Sequence, residues 1–267
     1  MDSATTRPLA LVTGASSGIG YELAKQFASN GFDLLVVAED AGIETAAHQF
    51  SLLGARVESV RADLATPDGV EEVYRRACSA GVPVDAAAIN AGVGVGGGFA
   101  GTDLRAELKL IDLNVRSTVH LAKRLVPDMV ARHRGRLLFT SSIAGTTPGP
   151  FEAVYAASKA FVYSFGEAIR YELKDTGVTV TVLMPGPTDT RFFERAGMTG
   201  TKVGASDRKD DPAEVARDGF EALMAGKDHV VAGSVRNSMQ AATAKVTPAA
   251  AAAAMHGRMS EPGSGRK

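Results

Sequence analysis

The chain has 267 residues, 45% hydrophobic and 22% charged, with 29 basic against 30 acidic side chains and a formal net charge of −1. That balance excludes a general nucleic-acid binder, which needs a basic excess to neutralise phosphates, and the length suffices for a substantial core. A single cysteine, Cys78, excludes an internal disulfide and suits a reducing, cytoplasmic setting.

In chain order, residues 1–8 lack the apolar centre of a signal peptide and read as a flexible lead. "LALVT" (9–13) reads as a strand, followed by a glycine-rich turn and the helical "IGYELAKQFASNG". "DLLVVA" (33–38) precedes the helical "GIETAAHQFSLLG", and "RVESVRA" (56–62) precedes a helix opened by "TPDGVEEV", with threonine as cap and proline at the first helical position. Cys78 falls in that helix as a small packing residue. "VDAAAI" (84–89), "RLLFTS" (136–141) and "VTVTVLM" (178–184) continue the pattern, and "HVVAG" (229–233) adds a last strand. These runs are continuously apolar, as strands covered on both faces require. Repeated strand–helix units predict an α/β fold, a doubly wound, mostly parallel sheet flanked by helices in one domain over 9–234.

Two regions break the rhythm. Residues 187–211 are polar and glycine-dotted, the pattern of a substrate lid or of a plain surface loop. The extension 235–267 contains an alanine run, Ala249 to Ala254, that can be helical but is too short to span a bilayer, and then a flexible end. No apolar run elsewhere reaches the roughly 18 residues of a membrane span. The five histidines are scattered without ligand-like spacing, so no metal site is expected.

The chemistry begins in "TGASSGIG" (13–20), between the first strand and first helix. Gly14, Gly18 and Gly20 allow a tight turn and close backbone approach to a pyrophosphate on a helix N-terminus, although a structural turn can use glycines the same way. Glu39 ends the second strand, near where dinucleotide folds put an acid on the ribose hydroxyls, and Asp63 ends the third, where it can accept from an adenine amino group. Either is equally a helix cap or a solvated charge on this reading. "INAG" (89–92) ends the fourth strand and "TSSIAG" the fifth, presenting Ser141 and Ser142. Tyr155 and Lys159 in "YAASK" share a helix face at i and i+4. They are either solvated decoration or a phenol whose ionisation a cation assists, as a general acid–base needs. Phe151, Phe192 and Phe193 line an apolar pocket or serve as ordinary packing.

With "TGASSGIG", "ADL", "NAG", "IDLNV", "SSIAG", "YAASK" and "PGPTDT" in order, the chain resembles the short-chain dehydrogenases/reductases, in their compact single-domain branch, from about Leu9 to Thr190. The resemblance implies a Rossmann-like fold and an NAD(P)-dependent oxidoreductase that interconverts a small-molecule carbonyl and alcohol. It implies Tyr155 as acid–base, Ser142 on the substrate oxygen, Lys159 on the nicotinamide ribose and the tyrosine pKa, and Asn114 holding a relay water. Cofactor contacts are implied for Gly14, Ser16, Ser17, Gly18, Ile19, Gly20, Glu39, Asp63, Leu64, Asn90, Ala91 and Gly92, for Tyr155 and Lys159, and for Pro185, Gly186, Thr188 and Thr190. Ile89 departs from the asparagine that many members carry there, with no consequence for the chemistry. Glu39, with Ser17 where NADP-choosing members often carry a cation, points to NAD over NADP; against this, NAD-preferring members often place the acid one residue earlier, at the Ala38 position, and Arg61 is near enough to accommodate a phosphate. The nearly all-round apolar "YAASKAFVYSFGEAIRYEL" points to a homodimer or homotetramer, the alternative being that the segment 187–225 folds over it. No nucleic-acid or membrane partner is expected. The competing class is a nucleotide-binding regulator of the same fold without turnover, which loss of a catalytic residue would favour.

Overall fold

The computed structural model describes residues 7–244 and 246–265. The apolar runs form seven strands: β1 (Leu9–Thr13), β2 (Asp33–Ala38), β3 (Val57–Arg61), β4 (Val84–Ile89), β5 (Gly135–Thr140), β6 (Val178–Pro185) and β7 (His229–Ala232). They make one sheet in the order β3-β2-β1-β4-β5-β6-β7, with every pair parallel. Every residue of β1, β2 and β4 is buried, which is why these strands carry no polar alternation. The chain starts at the centre, winds out to β3, then crosses back to β4 and winds the other way. That reversal opens a crevice beyond the carboxyl ends of β1 and β4.

Among the described residues ten α-helices connect and flank the strands: α1 (Gly18–Ser29), α2 (Gly42–Ser51), α3 (Pro67–Ser79), α4 (Leu104–Ile111), α5 (Ser117–Ala131), α6 (Ala153–Leu173), α7 (Phe192–Arg195), α8 (Pro212–Met224), α9 (Val235–Ala244) and α10 (Ala249–Ser260). The expected start of α3 is observed: Thr66 accepts from the Gly69 N–H at 3.1 Å, ahead of Pro67. On one face of the sheet Phe27 of α1 meets Phe220 of α8 edge-on, ring centroids 5.2 Å apart. On the other, Leu121, Leu125 and Met129 of α5 and Val162 of α6 are buried in one cluster with Phe139 of β5.

The lead expected over 1–8 falls largely outside the described residues, but its end is tied to the core. Arg7 donates to the carbonyls of Gly31 (3.1 Å), Ala28 (3.2 Å) and Gly54. The 187–211 stretch has more order than its polar sequence suggests. It contains the one-turn α7, a bridge between Thr188 and Asp210, and a small core of Phe193, Ala196 and Met198. The alanine run likewise extends beyond 254 into the three-turn α10, as the helix propensity of alanine favours. The 200–203 segment is joined to α10 by Val203 N–H to Met259 O (3.1 Å) and to the residues that follow α10 by Gly265 N–H to Gly200 O (3.0 Å). No helix among the described residues is long and apolar enough to cross a membrane.

Candidate active site

The carboxyl ends of the central strands open into one cavity of about 1490 Å³. Every residue expected at the cofactor lines it, together with Ser142, Tyr155 and Lys159. Asn114 does not line it. It is buried behind Gly92, whose position leaves a would-be Cβ 3.1 Å from Asn114 Oδ1 and 3.2 Å from Lys159 Nζ.

One end of the cavity is built for an anion. The turn after β1 holds Gly18 at φ 60°, the left-handed region that glycine favours. A Cβ on Gly20 would lie 2.2 Å from the Gly14 carbonyl oxygen and 2.5 Å from Asn90 Nδ2. Ser17 caps α1 without a side-chain hydrogen bond, and the first turn carries no acid. The N–H groups of α1 therefore stay available to a pyrophosphate. Asn90 fixes the floor, donating to Thr13 O (3.1 Å) and accepting from Thr140 Oγ1 (3.1 Å), so β1, β4 and β5 are tied together there. These features fit a dinucleotide.

Beside this loop the Ser16 hydroxyl donates to Asp40 at 2.8 Å. Burial works to raise the Asp40 pKa, but Ser16, the Gly42 N–H and the charges of Arg195 and Arg191 together hold it below the usual carboxylate range. Glu39 is 60% exposed at its side chain and pairs with Lys109 of α4 at 2.9 Å, and Lys109 reaches Asp63 at 3.4 Å. The hydrogen bond that Lys109 donates to Glu39 raises the Lys109 pKa. Arg61, the cation expected within reach of this end, lines the cavity and donates to Glu39 O at 3.1 Å, while Lys109 comes from 70 residues away and Arg191 and Arg195 from the lid.

At the other end stand Tyr155, Ser142 and Lys159. Ser142 Oγ accepts from the Ala144 N–H at 3.1 Å, and its contact with Pro185 O is long, 3.4 Å. That hydroxyl is free to turn to a ligand oxygen. Ser141, expected to offer a second hydroxyl, is buried and donates to Lys159 O at 2.6 Å, which fixes α6 against β5. Phe192 packs on the Tyr155 ring, centroids 5.0 Å apart.

The protonation of the pair differs from expectation. Burial first, then the negative charge of Glu152, pushes the Tyr155 phenol well above its ordinary value, and only Ser142 pulls it down. Lys159 gives the phenol no such help in this structure. Its ammonium donates to Thr140 O at 2.9 Å and stands 5.8 Å from the tyrosine ring centroid. Burial lowers the Lys159 pKa to about 8.

Asn114 lies in a π-helical turn, Asp112–Arg116, between α4 and α5. Such turns are rare and frequently mark functional sites. Its amide donates to Val93 O and to Ser158 Oγ, each at 3.0 Å, and accepts from the Val93 N–H. Ser158 in turn donates to Tyr155 O at 2.7 Å. Asn114 thus braces the turn of α6 that carries Tyr155, with Gly92 between it and Lys159.

Glu152 was not singled out by motif. Phe151 before it has φ 65°, a strained value for an aromatic residue, held by the Gly97 N–H on Phe151 O at 2.8 Å. This turn directs the Glu152 carboxylate into the cavity wall three residues before Tyr155. There His256 of α10 meets it at 2.5 Å. The scattered histidines also include His229, which pairs with Asp228 at 3.1 Å and lies near Glu167, outside the cavity.

Residues 8–200 match the family model for short chain dehydrogenase. An uncharacterized short-chain type dehydrogenase/reductase of Sinorhizobium fredii is 35% identical over 73% of this chain and 75% of its own. Dehydrogenase/reductase SDR family member 7B of Rattus norvegicus is 30% identical over 83% of this chain and 72% of its own. Among solved structures, a short-chain dehydrogenase from Sphingobium yanoikuyae in complex with NADPH is 29% identical, with a TM-score of 0.78 over 84% of this chain and 87% of that one. A short chain dehydrogenase/reductase from Burkholderia phymatum in complex with NAD shares the fold at 22% identity, TM-score 0.80, over 90% of this chain and 92% of that one.

Proposed function

The chain belongs to the short-chain dehydrogenase/reductase family, and from that membership we propose that it interconverts a carbonyl and an alcohol with Tyr155 as the general acid–base. The observation that carries the proposal is a single cavity with a glycine-built anion site at one end and Tyr155, Ser142 and Lys159 at the other. An NAD(P) cofactor would rest its pyrophosphate on the α1 N-terminus and supply or accept the hydride. Ser142 and the Tyr155 phenol would share the substrate oxygen. In reduction the phenol would donate its proton to that oxygen; its raised pKa keeps it protonated but makes it a weaker acid than a group that titrates near the working pH. In oxidation it must lose the proton, so the Lys159 cation would have to act on it, and the same ammonium would hold the nicotinamide ribose. Asn114 and a water behind Gly92 would return protons to Lys159. Absorbance of the reduced nicotinamide, followed across a panel of alcohols and ketones, tests the reaction. A nucleotide-binding regulator of this fold would show cofactor binding without any change.

We further propose that Glu39 selects NAD over NADP. A carboxylate there accepts from the ribose hydroxyls and repels a 2′-phosphate, and such like-charge juxtaposition is worth several kcal/mol. The exposed pair with Lys109 offsets only part of this, since surface ion pairs contribute about 0–1 kcal/mol. The wild type should show the higher kcat/KM with NAD, and Glu39→Arg should move the ratio toward NADP by about tenfold or more. A wild-type preference for NADP, or an unmoved ratio in the variant, removes Glu39 from this role.

A homodimer or homotetramer in the cytoplasm completes the proposal. On α6, Phe161 is 40% and Tyr171 71% exposed, and α4 exposes Leu104 and Leu108 at 69% and 50%. The 187–225 segment, the alternative cover, lines the cavity with residues between 187 and 208 and packs α8 against α1 instead. Light scattering at micromolar concentration should give a multiple of 27.7 kDa; a monomer mass would contradict the assignment.

A further inference from the structure

The part of the cavity beyond Tyr155 has a chemistry that neither the glycine loop nor the tyrosine explains. Its cover is made by three segments: the 200–208 stretch, α9 and α10. The first and last are strapped together by backbone hydrogen bonds, and Lys202 N–H donates to Ser264 Oγ at 3.0 Å. From these segments Lys202, Arg208, Arg236 and Arg258 all line the cavity, and all four are exposed. None of them forms a salt bridge among the described residues. The acids that line the cavity lie elsewhere: Glu39, Asp40 and Asp63 end or follow strands on the nucleotide side, and Glu152 is capped by His256. The same cover presents apolar surface, with Met239 and Met255 each 65% exposed while lining the cavity.

A cleft whose rim carries charge of one sign focuses its field and concentrates ligands of the opposite sign. Methionine walls adapt to apolar bodies of varied shape. The volume, about 1490 Å³, exceeds the ~300–1,000 Å³ of a typical single-ligand pocket, leaving room beyond a dinucleotide. We propose that the substrate is an amphipathic anion: an apolar body that carries the reacting carbonyl or alcohol to Tyr155, with a carboxylate or phosphate head held by the cations of the cover. The proposal deepens the carbonyl–alcohol reading of this site and rests on it for the reacting group alone. Recognition of the head is a property of Lys202, Arg208, Arg236 and Arg258, none of which belongs to the proton-transfer machinery.

Binding and turnover test the two statements separately. Calorimetry on the cofactor-loaded protein compares decanoate, decyl phosphate and decanamide. At least one anion should bind about tenfold or more tightly than the amide at low salt, and the gap should narrow as salt is raised. The tighter of the two anions identifies the head. The double variant Arg236→Gln, Arg258→Gln should lose most of that gap while keeping its affinity for decanamide and for the cofactor. Amide binding equal to both anions, or a double variant that keeps the full preference, overturns the proposal. In turnover, medium-chain keto acids should exceed their methyl esters in kcat/KM by a similar factor. Esters reduced as well as acids would overturn the anionic head and leave the carbonyl chemistry standing. Anion-selective binding without turnover of either would support the head group and count against the carbonyl chemistry.

Discussion

Replacing Tyr155 by phenylalanine should lower kcat by about 10²–10⁴-fold, the usual loss when a positioned acid–base is removed, while cofactor affinity stays close to wild type. The reason is a division of labour along the cavity. On the proposed reading the pyrophosphate would rest on the α1 N-terminus and its glycine turn, whereas the phenol oxygen would be the group that gives or takes the proton. Phenylalanine keeps the ring that packs on Phe192, so the 5.0 Å aromatic contact and the burial of α6 survive. A variant with most of its kcat would remove Tyr155 from the chemistry. A variant that also loses the cofactor would point to a structural role for the hydroxyl. Calorimetric Kd values beside steady-state kcat distinguish these results.

Lys159→Met should harm both quantities, with kcat falling by a similarly large factor and the cofactor Kd rising by about tenfold, as loss of a charged hydrogen-bond donor implies. Lys159 is 5% exposed, and methionine fills its volume without the charge. The pH dependence supplies the sharper signature. Burial lowers the Lys159 pKa to about 8 in the free protein. Contact with an anionic cofactor favours the protonated form, so binding takes up a proton above that pH. The wild-type Kd should therefore weaken as pH rises through about 8, and the variant's Kd should be flat over the same range. The sign for folding is the opposite one. A lysine with a depressed folded pKa opposes folding most at low pH, and that penalty fades between about 8 and the ordinary lysine value of 10.5. Loss of binding at alkaline pH is thus not a loss of the fold. Equal pH dependence in the two proteins would assign the effect to another group.

Much of this architecture was legible because it rests on local pattern. The first, second and fourth strands coincide with their apolar runs, and β5 begins one residue before the expected start. The anion site was legible for the same reason: the glycine spacing, a strand and a helix start are adjacent in sequence. What escaped depends on distant residues meeting. Glu39 and Lys109 are 70 residues apart and Glu152 and His256 are 104 apart, so neither pair leaves a local signal. The π turn around Asn114 has no compositional mark, since its five residues, "DLNVR", would sit equally well in an α-helix. The lid and extension read as loose because their order comes from contact with each other, through Val203 and Met259, and not from periodicity. The expected influence of Lys159 on Tyr155 was inferred from i, i+4 spacing, which brings two side chains to one face but does not aim them. In the structure the ammonium turns to Thr140 O.

In the proposed reaction a hydride passes between the bound nicotinamide and a carbinol carbon in this cavity. The most direct measurement supplies the protein with reduced nicotinamide carrying deuterium at its transferable position and reads the product alcohols of a ketone panel by mass spectrometry. The account predicts an alcohol bearing one deuterium at the carbinol carbon, formed by the wild type and strongly diminished in Tyr155→Phe. Tight cofactor binding with no labelled alcohol from any ketone would contradict it, and would leave a nucleotide-binding protein of this fold that does not turn over.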